Sequence, residues 1–185
     1  MGVGPAPKGR RTVAGGERSE PPESGSKQGS PGGASEKPMS YTCLRYHITY
    51  STKLRRTWIS PELLPRICEY MGGMIRQVQG HPILINGPED HLHVVCSIPP
   101  TIKVADFIRD LKSNCTNWIH ATFPDLRDFC WQDGYAAFTV SPSVMPRLLN
   151  YVRTQQEHHK TVSFRDELIW LLRNHGIEFD ERYLE

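Results

Sequence analysis

An α+β domain of the ferredoxin-like (split βαβ) class is the fold that the sequence predicts, with an antiparallel sheet, helices on one face and a C-terminal helical extension. The hydrophobic period changes between two and about 3.6 residues in the order strand, helix, strand, strand, helix, strand. Two more helical patterns follow the fourth strand. The chain has 185 residues, which is enough for one such domain and too few for two large ones.

The first strand and the first helix follow simple patterns. From Leu44 to Ser51 apolar and polar residues alternate, which is the period of a half-buried strand. Ser60 and Pro61 then signal a helix start, and apolar residues recur at helical spacing up to Ile75. Because proline is tolerated only in a first turn, a proline at position 65 leaves the first residue of this helix open.

The second and third strands are predicted to form a hairpin. Residues 83–85 are apolar and follow Gly80, and the sequence 86–88, Asn-Gly-Pro, has strong turn chemistry. A third strand is predicted over 91–98. Apolar residues then recur on one helical face over 104–119, which predicts the second helix.

The last strand precedes the helical extension. Aromatic and β-branched residues over 135–140 predict a fourth strand. A third helix is predicted over 144–159, and a fourth begins at Ser163, where Asp166 completes a capping pattern, and ends before Gly176. Strands one and three would be the central pair. The sheet face opposite the first two helices would stay open for a ligand, as in RNA-recognition sheets.

Residues 1–38 differ in composition from the rest of the chain. They contain nine Gly, six Pro and five Ser and have no Leu, Ile, Phe, Trp or Tyr. Burial in such a segment cannot offset its ordering entropy, so we predict a disordered Gly/Pro/Ser-rich tail over 1–38 and a folded domain over 39–185. The tail holds six of the 22 Lys/Arg and four of the 20 Asp/Glu, which leaves the domain with 16 charges of each sign.

A neutral domain has no bulk positive field to attract nucleic acid. Such a partner would have to be held by local basic patches. Two candidate patches are Lys53 with Arg55 and Arg56, and Arg109 with Lys112; as ordinary solvated charges they would have no such role.

Membrane and disulfide-rich classes are disfavoured. No apolar run approaches the roughly 18 residues of a membrane span, and the first residues lack the apolar stretch of a signal peptide. The five cysteines are odd in number, widely spaced and contain no CxxC pair. We interpret them as small buried hydrophobes, and we expect a cytoplasmic protein with no membrane partner.

Two histidines on the third strand are candidate metal ligands. Because side chains alternate along a strand, His91 and His93 project from the face opposite Leu92 and its apolar neighbours, about 7 Å apart. They could share an ion or be solvated residues of a polar face. His47 on the first strand would lie nearby, with a structural hydrogen bond as its simpler role, and Asp90 would assist the ion or cap the turn.

Tyr151 and Gln155 are candidate partners of these histidines. They are four residues apart and therefore share one face of the predicted third helix. Tyr151 lies at the margin of the apolar stripe, so a packing residue with a wet hydroxyl is the alternative. Residues 158–160, His-His-Lys, give the helix a basic end that would favour its dipole and a nearby phosphate, or form a solvated terminus.

Together these groups provide what phosphodiester transesterification through a tyrosine needs. A metal held by the histidines would polarise the phosphate, and the tyrosine hydroxyl would attack phosphorus. The bond energy would then be conserved in a phosphotyrosine until a second DNA end displaces it. Spacing alone leaves this chemistry open.

Several motifs together resemble one family, the single-tyrosine HUH transposases of small bacterial insertion sequences, the IS200-like type. The resemblance covers nearly everything after Met39 and follows the family's motif order. It is carried by His47-Ile48-Thr49-Tyr50-Ser51-Thr52-Lys53, His91-Leu92-His93-Val94, Trp131-Gln132-Asp133-Gly134-Tyr135, Tyr151 with Gln155-Gln156-Glu157-His158-His159, and Phe179-Asp180-Glu181-Arg182-Tyr183-Leu184.

The resemblance implies a ferredoxin-like DNA transposase that cuts single strands near subterminal hairpins and leaves a 5′-phosphotyrosine and a free 3′ hydroxyl. It implies Tyr151 as the nucleophile, His91 and His93 as metal ligands and Gln155 as a further ligand. Mg²⁺ is the implied ion, with Mn²⁺ able to substitute, although two imidazoles favour softer metals. A homodimer that shares its active sites between subunits, in a bacterial cell and at the nucleoid during action, is also implied.

Two alternatives compete with the transposase. A domesticated or decayed relative would bind hairpins without chemistry, but intact HUH, tyrosine and glutamine motifs argue against decay. A metal-dependent hydrolase would use water as its nucleophile, leave Tyr151 dispensable and form no covalent protein–DNA adduct.

Overall fold

The computed structural model describes residues 41–159 and 161–184. The predicted tail, residues 1–38, lies outside the described residues, and so does Lys160 of the predicted basic helix end. Among the helices that are described, none is long and apolar enough to cross a lipid bilayer.

Four antiparallel strands form one sheet, in the order β2-β3-β1-β4. The strands are β1 (Arg45–Ser51), β2 (His81–Asn86), β3 (His91–Ser97) and β4 (Ala136–Thr139). The central pair is β1 with β3, and Thr49 lies opposite His93 in their register. With the intervening helices, this order confirms the predicted ferredoxin-like topology.

Helices α1 (Leu63–Gln77) and α2 (Val104–Thr122) cover one face of the sheet. Ser60 Oγ accepts a hydrogen bond from the backbone N–H of Leu63, the first residue of α1. The predicted start signal at Ser60 and Pro61 therefore lies just before the helix. The main core lies between these helices and the alternate apolar residues of the central strands, which include Ile48, Tyr50, Leu92, Val94 and Cys96.

Three further helices cover the opposite face: α3 (Met145–Arg153), α4 (Gln155–His158) and α5 (Phe164–Asn174). Helix α3 packs Met145 and Val152 against Val95 of β3, and α5 packs Leu171 and Leu172 against Phe138 of β4. The C-terminal extension therefore covers the face that we expected to stay open for a ligand. The apolar stripes of α3 and α5 need a partner surface, and this sheet face supplies it.

The predicted third helix, 144–159, is interrupted at Thr154. The Thr154 hydroxyl donates to the backbone carbonyl of Asn150, and the side-chain amide of Asn86 donates to the carbonyls of Val152 and Arg153. The Asn86 amide binds the carbonyl groups at the end of α3, where they lack helical partners, so the helix stops and α4 begins at Gln155. The interruption was not visible in the hydrophobic pattern.

The termini of α5 agree with the prediction. Ser163 Oγ accepts from the Asp166 backbone N–H at 3.1 Å, which caps the helix, and donates to the Asp166 carboxylate at 2.7 Å. Gly176 follows the helix with φ of 63°, a left-handed conformation that favours glycine after a helix end.

The cysteines differ in burial although all five are free. Cys96 and Cys115 are buried, as we expected, whereas Cys68 and Cys130 are half-buried. The expectation was wrong for Cys43, which is exposed because it precedes β1.

We expect the variant Ile108→Ala to lower the free energy of unfolding by about 2–5 kcal/mol, because its side chain is fully buried on α2 and truncation leaves a cavity. Ile177→Ala is the matched control: its side chain is 43% exposed, and the change should stay within about 0.5 kcal/mol. Urea unfolding followed by circular dichroism measures both. Equal unfolding midpoints for the two variants would contradict the assigned core.

Candidate active site

The two histidines of β3 lie on the sheet face that the C-terminal helices cover. Both side chains are fully buried, with 0% exposure. Leu92 between them points into the main core, as the alternation of a strand requires. The shared face of His91 and His93 was correctly predicted, but the histidines are enclosed rather than solvated.

A buried glutamate, Glu167 of α5, is the centre around which the polar side chains gather. The side chains that approach its carboxylate come from β3, α3, α4 and the segment after α4: His91, His93, Tyr151, Gln155 and His159. The cluster thus joins the sheet to all three C-terminal helices. Glu167 was not among the predicted site residues.

Three imidazole nitrogens approach the two carboxylate oxygens. His159 Nε2 lies 2.9 Å and His91 Nε2 lies 3.4 Å from Glu167 Oε2. His93 Nε2 lies 3.3 Å from Glu167 Oε1. One ligand atom from each of these four residues can be chosen so that all lie within 4.8 Å of one another, which is compact enough for one metal ion.

The tyrosine and the glutamine that the sequence singled out both reach this cluster. The Tyr151 hydroxyl donates a hydrogen bond to Glu167 Oε1, and Gln155 Nε2 donates to the same oxygen at 3.0 Å. The Tyr151 hydroxyl and the Gln155 amide reach the same carboxylate although the helix is interrupted between the two residues. Gln155 is fully buried, and Tyr151 is half-buried, at the margin where the helical pattern had put it.

Neighbouring groups orient the imidazole rings. His91 Nδ1 lies 2.7 Å from Asp90 Oδ1, and His159 Nδ1 lies 2.8 Å from the Val162 carbonyl oxygen. With a proton on each Nδ1, the Nε2 lone pairs of both rings face the cluster. His93 Nδ1 shares a 2.9 Å hydrogen bond with His47 Nε2, so His47 has the structural role proposed for it, and Asp90 orients a histidine.

The electrostatics of the site favour an ionised glutamate. Burial would raise the pKa of Glu167, but hydrogen bonds from His91 and His93 and the charge of those rings lower its pKa to about 2. Burial lowers the pKa of His91, yet bonds and charges from Asp90 and Glu167 raise that pKa above its usual value. Burial, followed by the adjacent His93, lowers the pKa of His47 to about 3.

The residues of the cluster fit a divalent metal ion. His91 Nε2 and Glu167 Oε2 face each other at 3.4 Å, and Gln155 Oε1 is a buried acceptor without a hydrogen bond within the part of the chain that the structure describes. Buried polar atoms normally have a partner, and imidazole nitrogens and carboxylate oxygens within reach of one point are metal ligands in many proteins. The three imidazoles and one carboxylate of the cluster suit Mg²⁺ less than Mn²⁺ or Zn²⁺.

The turn between β2 and β3 fixes the tyrosine helix against the histidine strand. Asn86 Nδ2 donates at 2.8 Å to the carbonyl of Val152, the residue after Tyr151. A Cβ atom on Gly87 would lie 2.1 Å from the His91 carbonyl oxygen, so only glycine allows this close approach. The Asn-Gly-Pro turn thus positions both halves of the site.

The position of Glu167 in the apolar stripe of the last helix was a sequence signal that could have identified it as a site residue. Glu167 lies three residues after Phe164 and four before Leu171, on the buried stripe of α5. A glutamate in the middle of an apolar stripe is rarely buried without a partner. That rule would have identified it as a candidate site residue, whereas its histidine partners are visible only in three dimensions.

The two candidate basic patches differ in their surroundings. Lys112 Nζ donates to the carbonyls of Gln132 and Gly134 at 2.5 and 2.7 Å, and Arg109 pairs with Asp106 and Asp110 on its own helix. The first patch, residues 53–56, forms a tight turn in which Leu54 and Arg55 have positive φ. Arg109 and Lys112 are therefore engaged by groups of the protein itself, which favours the alternative that they do not hold nucleic acid.

Comparisons with known proteins identify the family. The profile of the family described as "Transposase IS200 like" matches residues 40–155. The "Transposase for insertion sequence element IS200" of Salmonella typhimurium is 28% identical over 141 residues, 68% of this chain and 86% of that protein. The "ISDra2 transposase TnpA" of Deinococcus radiodurans is 22% identical over 119 residues, 62% of this chain and 85% of that protein.

Solved structures support the fold. A candidate transposase from Deinococcus radiodurans R1 has a TM-score of 0.54 at 21% identity, with 65% of this chain and 97% of that chain covered. A REP-associated tyrosine transposase bound to a REP hairpin has a TM-score of 0.51 at 15% identity, with 70% of this chain and 76% of that chain covered. The matched region contains His91, His93, Tyr151 and Gln155, and the chain belongs to the IS200-like transposase family.

Proposed function

We propose that this transposase cuts and rejoins single-stranded DNA at the ends of an insertion sequence through a 5′-phosphotyrosine on Tyr151. The observation that carries the proposal is the meeting of the Tyr151 hydroxyl and the buried histidine cluster at one carboxylate, Glu167. If Tyr151 were only a packing residue, its hydroxyl would be expected to contact solvent rather than a buried cluster of ionisable side chains.

The proposed step is a balanced transesterification. Tyr151 Oη forms a bond to the phosphorus of the scissile phosphate, and the bond from phosphorus to the 3′ oxygen breaks. The phenol loses one proton and the departing 3′ oxygen gains one, which leaves a free 3′ hydroxyl. Glu167 Oε1 accepts the hydrogen bond of the Tyr151 hydroxyl and so orients the attacking oxygen. The phenol proton passes to solvent, because a carboxylate with a pKa of about 2 is a weak base.

His91, His93 and Gln155 would hold the divalent ion, with Mg²⁺ as the proposed ion and Mn²⁺ as a substitute. Glu167 and His159 are further candidates from outside the region that matches the family. When bound, the ion would supply charge that polarises the scissile phosphate. The protein's own part is to hold the Nε2 lone pairs and the tyrosine hydroxyl together and to exclude water from the buried side of the site.

The proposed DNA partner is a single strand with hairpins near the ends of the element. One structural relative is bound to a REP hairpin, which supports this choice of partner. We also propose a homodimer. In that homodimer the active sites would be shared between the subunits, with the tyrosine helix of one protomer able to complete the site of the other.

A cleavage assay on single-stranded DNA from the flanks of the protein's own gene tests the proposal. With Mg²⁺ or Mn²⁺, a 3′-end label should stay with the protein on a denaturing gel, because a 5′-phosphotyrosine retains the downstream fragment. A 5′-end label should run as a free fragment. Tight hairpin binding without an adduct would favour the decayed binding protein, and metal-dependent cutting without an adduct would favour the hydrolase.

Asp90→Asn is expected to weaken Mn²⁺ binding by about 10- to 100-fold, because the neutral amide no longer fixes the Nδ1 proton of His91. Glu89→Gln is the matched control, since Glu89 is the exposed acidic neighbour outside the cluster. Calorimetric titration with Mn²⁺ compares the two variants with the wild type. Unchanged Mn²⁺ affinity in Asp90→Asn would reject the orienting role of Asp90.

A further inference from the structure

A large cavity opens beside the tyrosine, between β4, α3 and α5. Its volume is about 980 Å³. Tyr151 and Glu167 form part of its wall, so it is continuous with the proposed site of attack. Much of the remaining wall is apolar and includes Phe138, Val140 and Leu171. The cavity is therefore a binding volume that starts at the nucleophile.

Trp170 gives this cavity an aromatic surface that the fold itself does not use. Its side chain is 52% exposed, whereas the other large apolar side chains of α5 are mostly buried. The Trp170 ring lies 6.3 Å from the Tyr151 ring, at an interplanar angle of 36°. Because Trp170 lines the cavity beside Tyr151, the exposed part of its ring is available for stacking by a ligand.

The rim of the cavity carries polar groups suited to a nucleotide. Arg147 and Asn174 are exposed lining residues, one on α3 and one at the end of α5. Arg147 makes no ion pair with any residue in the described ranges, so its charge is available to a phosphate. Two acidic residues also line the cavity: Glu167 is compensated by the histidines, and the Asp166 carboxylate accepts a hydrogen bond from the Ser163 hydroxyl.

We propose that this cavity binds one unpaired nucleotide next to the scissile phosphate, with its base stacked on Trp170 and its backbone phosphate near Arg147. The inference rests on the proposed function, since it requires DNA at Tyr151. Aromatic rings are the usual platforms for single-stranded bases because every base has a face that can stack. Such a site holds the strand in place without reading its sequence.

A nucleotide fits these observations better than a second copy of the chain. The attacked phosphate must lie at the Tyr151 hydroxyl, and the attached nucleotide must leave that point through open volume. On the sheet side the fully buried His91 and His93 close the path. The cavity with Trp170 opens from the tyrosine on its other side, whereas a protein partner would need no continuity with the nucleophile.

Photocrosslinking tests the proposal without needing cleavage. The probe is a 16-nucleotide oligothymidylate in which alternate bases are 5-iodouracil, and the protein is the full-length Tyr151→Phe variant, which cannot form the phosphotyrosine. We expect the crosslink in the tryptic peptide 166–173, which contains Trp170. Crosslinks that are confined to other peptides would overturn the proposal. Because this readout is independent of the covalent adduct, the subsite and the proposed chemistry can fail separately.

Binding measurements on variants complete the test. Trp170→Ala should weaken binding of a fluorescein-labelled oligothymidylate of the same length by about 5- to 150-fold, while Trp170→Phe should retain most of the affinity. Tyr41→Ala, which removes another exposed aromatic side chain, is the control and should bind like the wild type. Thermal melting of each variant verifies folding.

Two results would overturn the subsite. Equal affinity of Trp170→Ala and wild type would remove the stacking role. Light scattering coupled to size-exclusion chromatography tests whether a second copy of the chain occupies the cavity. If Trp170→Ala turned a dimer into a monomer while DNA affinity per folded protomer stayed unchanged, the cavity would be a protein interface.

Discussion

Replacement of Tyr151 by Phe is expected to abolish the covalent protein–DNA adduct and to leave DNA binding within about twofold of the wild type. The substitution removes the proposed attacking oxygen and keeps the ring that packs near His93 and Trp170. Loss of a nucleophile that forms a covalent intermediate removes the reaction path itself rather than part of its rate. The gel assay for the adduct and an anisotropy measurement of binding report the two properties separately.

Tyr70→Phe is the matched control for this experiment. Tyr70 lies on α1, on the other side of the sheet, where its ring stacks on Trp118 with centroids 4.6 Å apart. Its hydroxyl has no part in the proposed chemistry, so adduct formation should continue at the wild-type rate. Adduct formation by Tyr151→Phe at that rate would reject Tyr151 as the nucleophile.

Replacement of His91 or His93 by Ala is expected to make cleavage very low and insensitive to added metal. Each change removes an imidazole nitrogen from the buried cluster, and the remaining atoms have fewer ligands for a divalent ion. We expect Mn²⁺ affinity to fall by more than about 100-fold. This loss exceeds the one expected for Asp90→Asn, because here a ligand itself is removed and not the hydrogen-bond partner of a ligand. Titration with Mn²⁺ and cleavage at several metal concentrations measure this.

His81→Ala is the control for the histidine variants. His81 begins β2 and is exposed, and it lies outside the cluster. Metal affinity and cleavage should therefore match the wild type. Metal-dependent turnover by His91→Ala or His93→Ala close to that of His81→Ala would refute the assignment of these histidines as ligands.

Much of the fold could be predicted from local patterns because those patterns have local causes. The alternation from Leu44 to Ser51 corresponds to β1, and the capping pattern at Ser163 corresponds to the start of α5. The Asn-Gly-Pro turn joins β2 to β3 as expected. In each of these segments the side chains that define the element are neighbours in the sequence.

The features that were missed depend on contacts between distant residues. The break at Thr154 requires the side chain of Asn86, more than 60 residues earlier, to bind the end of α3. The covering of the second sheet face requires α3 and α5 to pack on it. A hydrophobic pattern shows that a helix has an apolar stripe, but it does not show which surface the stripe will cover.

The candidate site shows the same division. The shared face of His91 and His93 followed from the geometry of a strand. The proximity of Tyr151 and Gln155 was predicted from helical spacing, but the helix is interrupted between them and they meet at the carboxylate of Glu167. Glu167 joins these two pairs, and its role appears only when α5 is folded back onto the sheet. The family resemblance implied roles for four residues, and the structure adds a carboxylate from beyond the matched region.

The identity of the residue that becomes attached to DNA tests the central claim most directly. Wild-type protein is incubated with single-stranded DNA from its own flanks and Mn²⁺, the DNA is digested with nuclease, and peptides are analysed by tandem mass spectrometry. We predict a nucleotide attached through its 5′ phosphate to Tyr151. Attachment at another side chain, or cut DNA with every described tyrosine unmodified, would contradict the account.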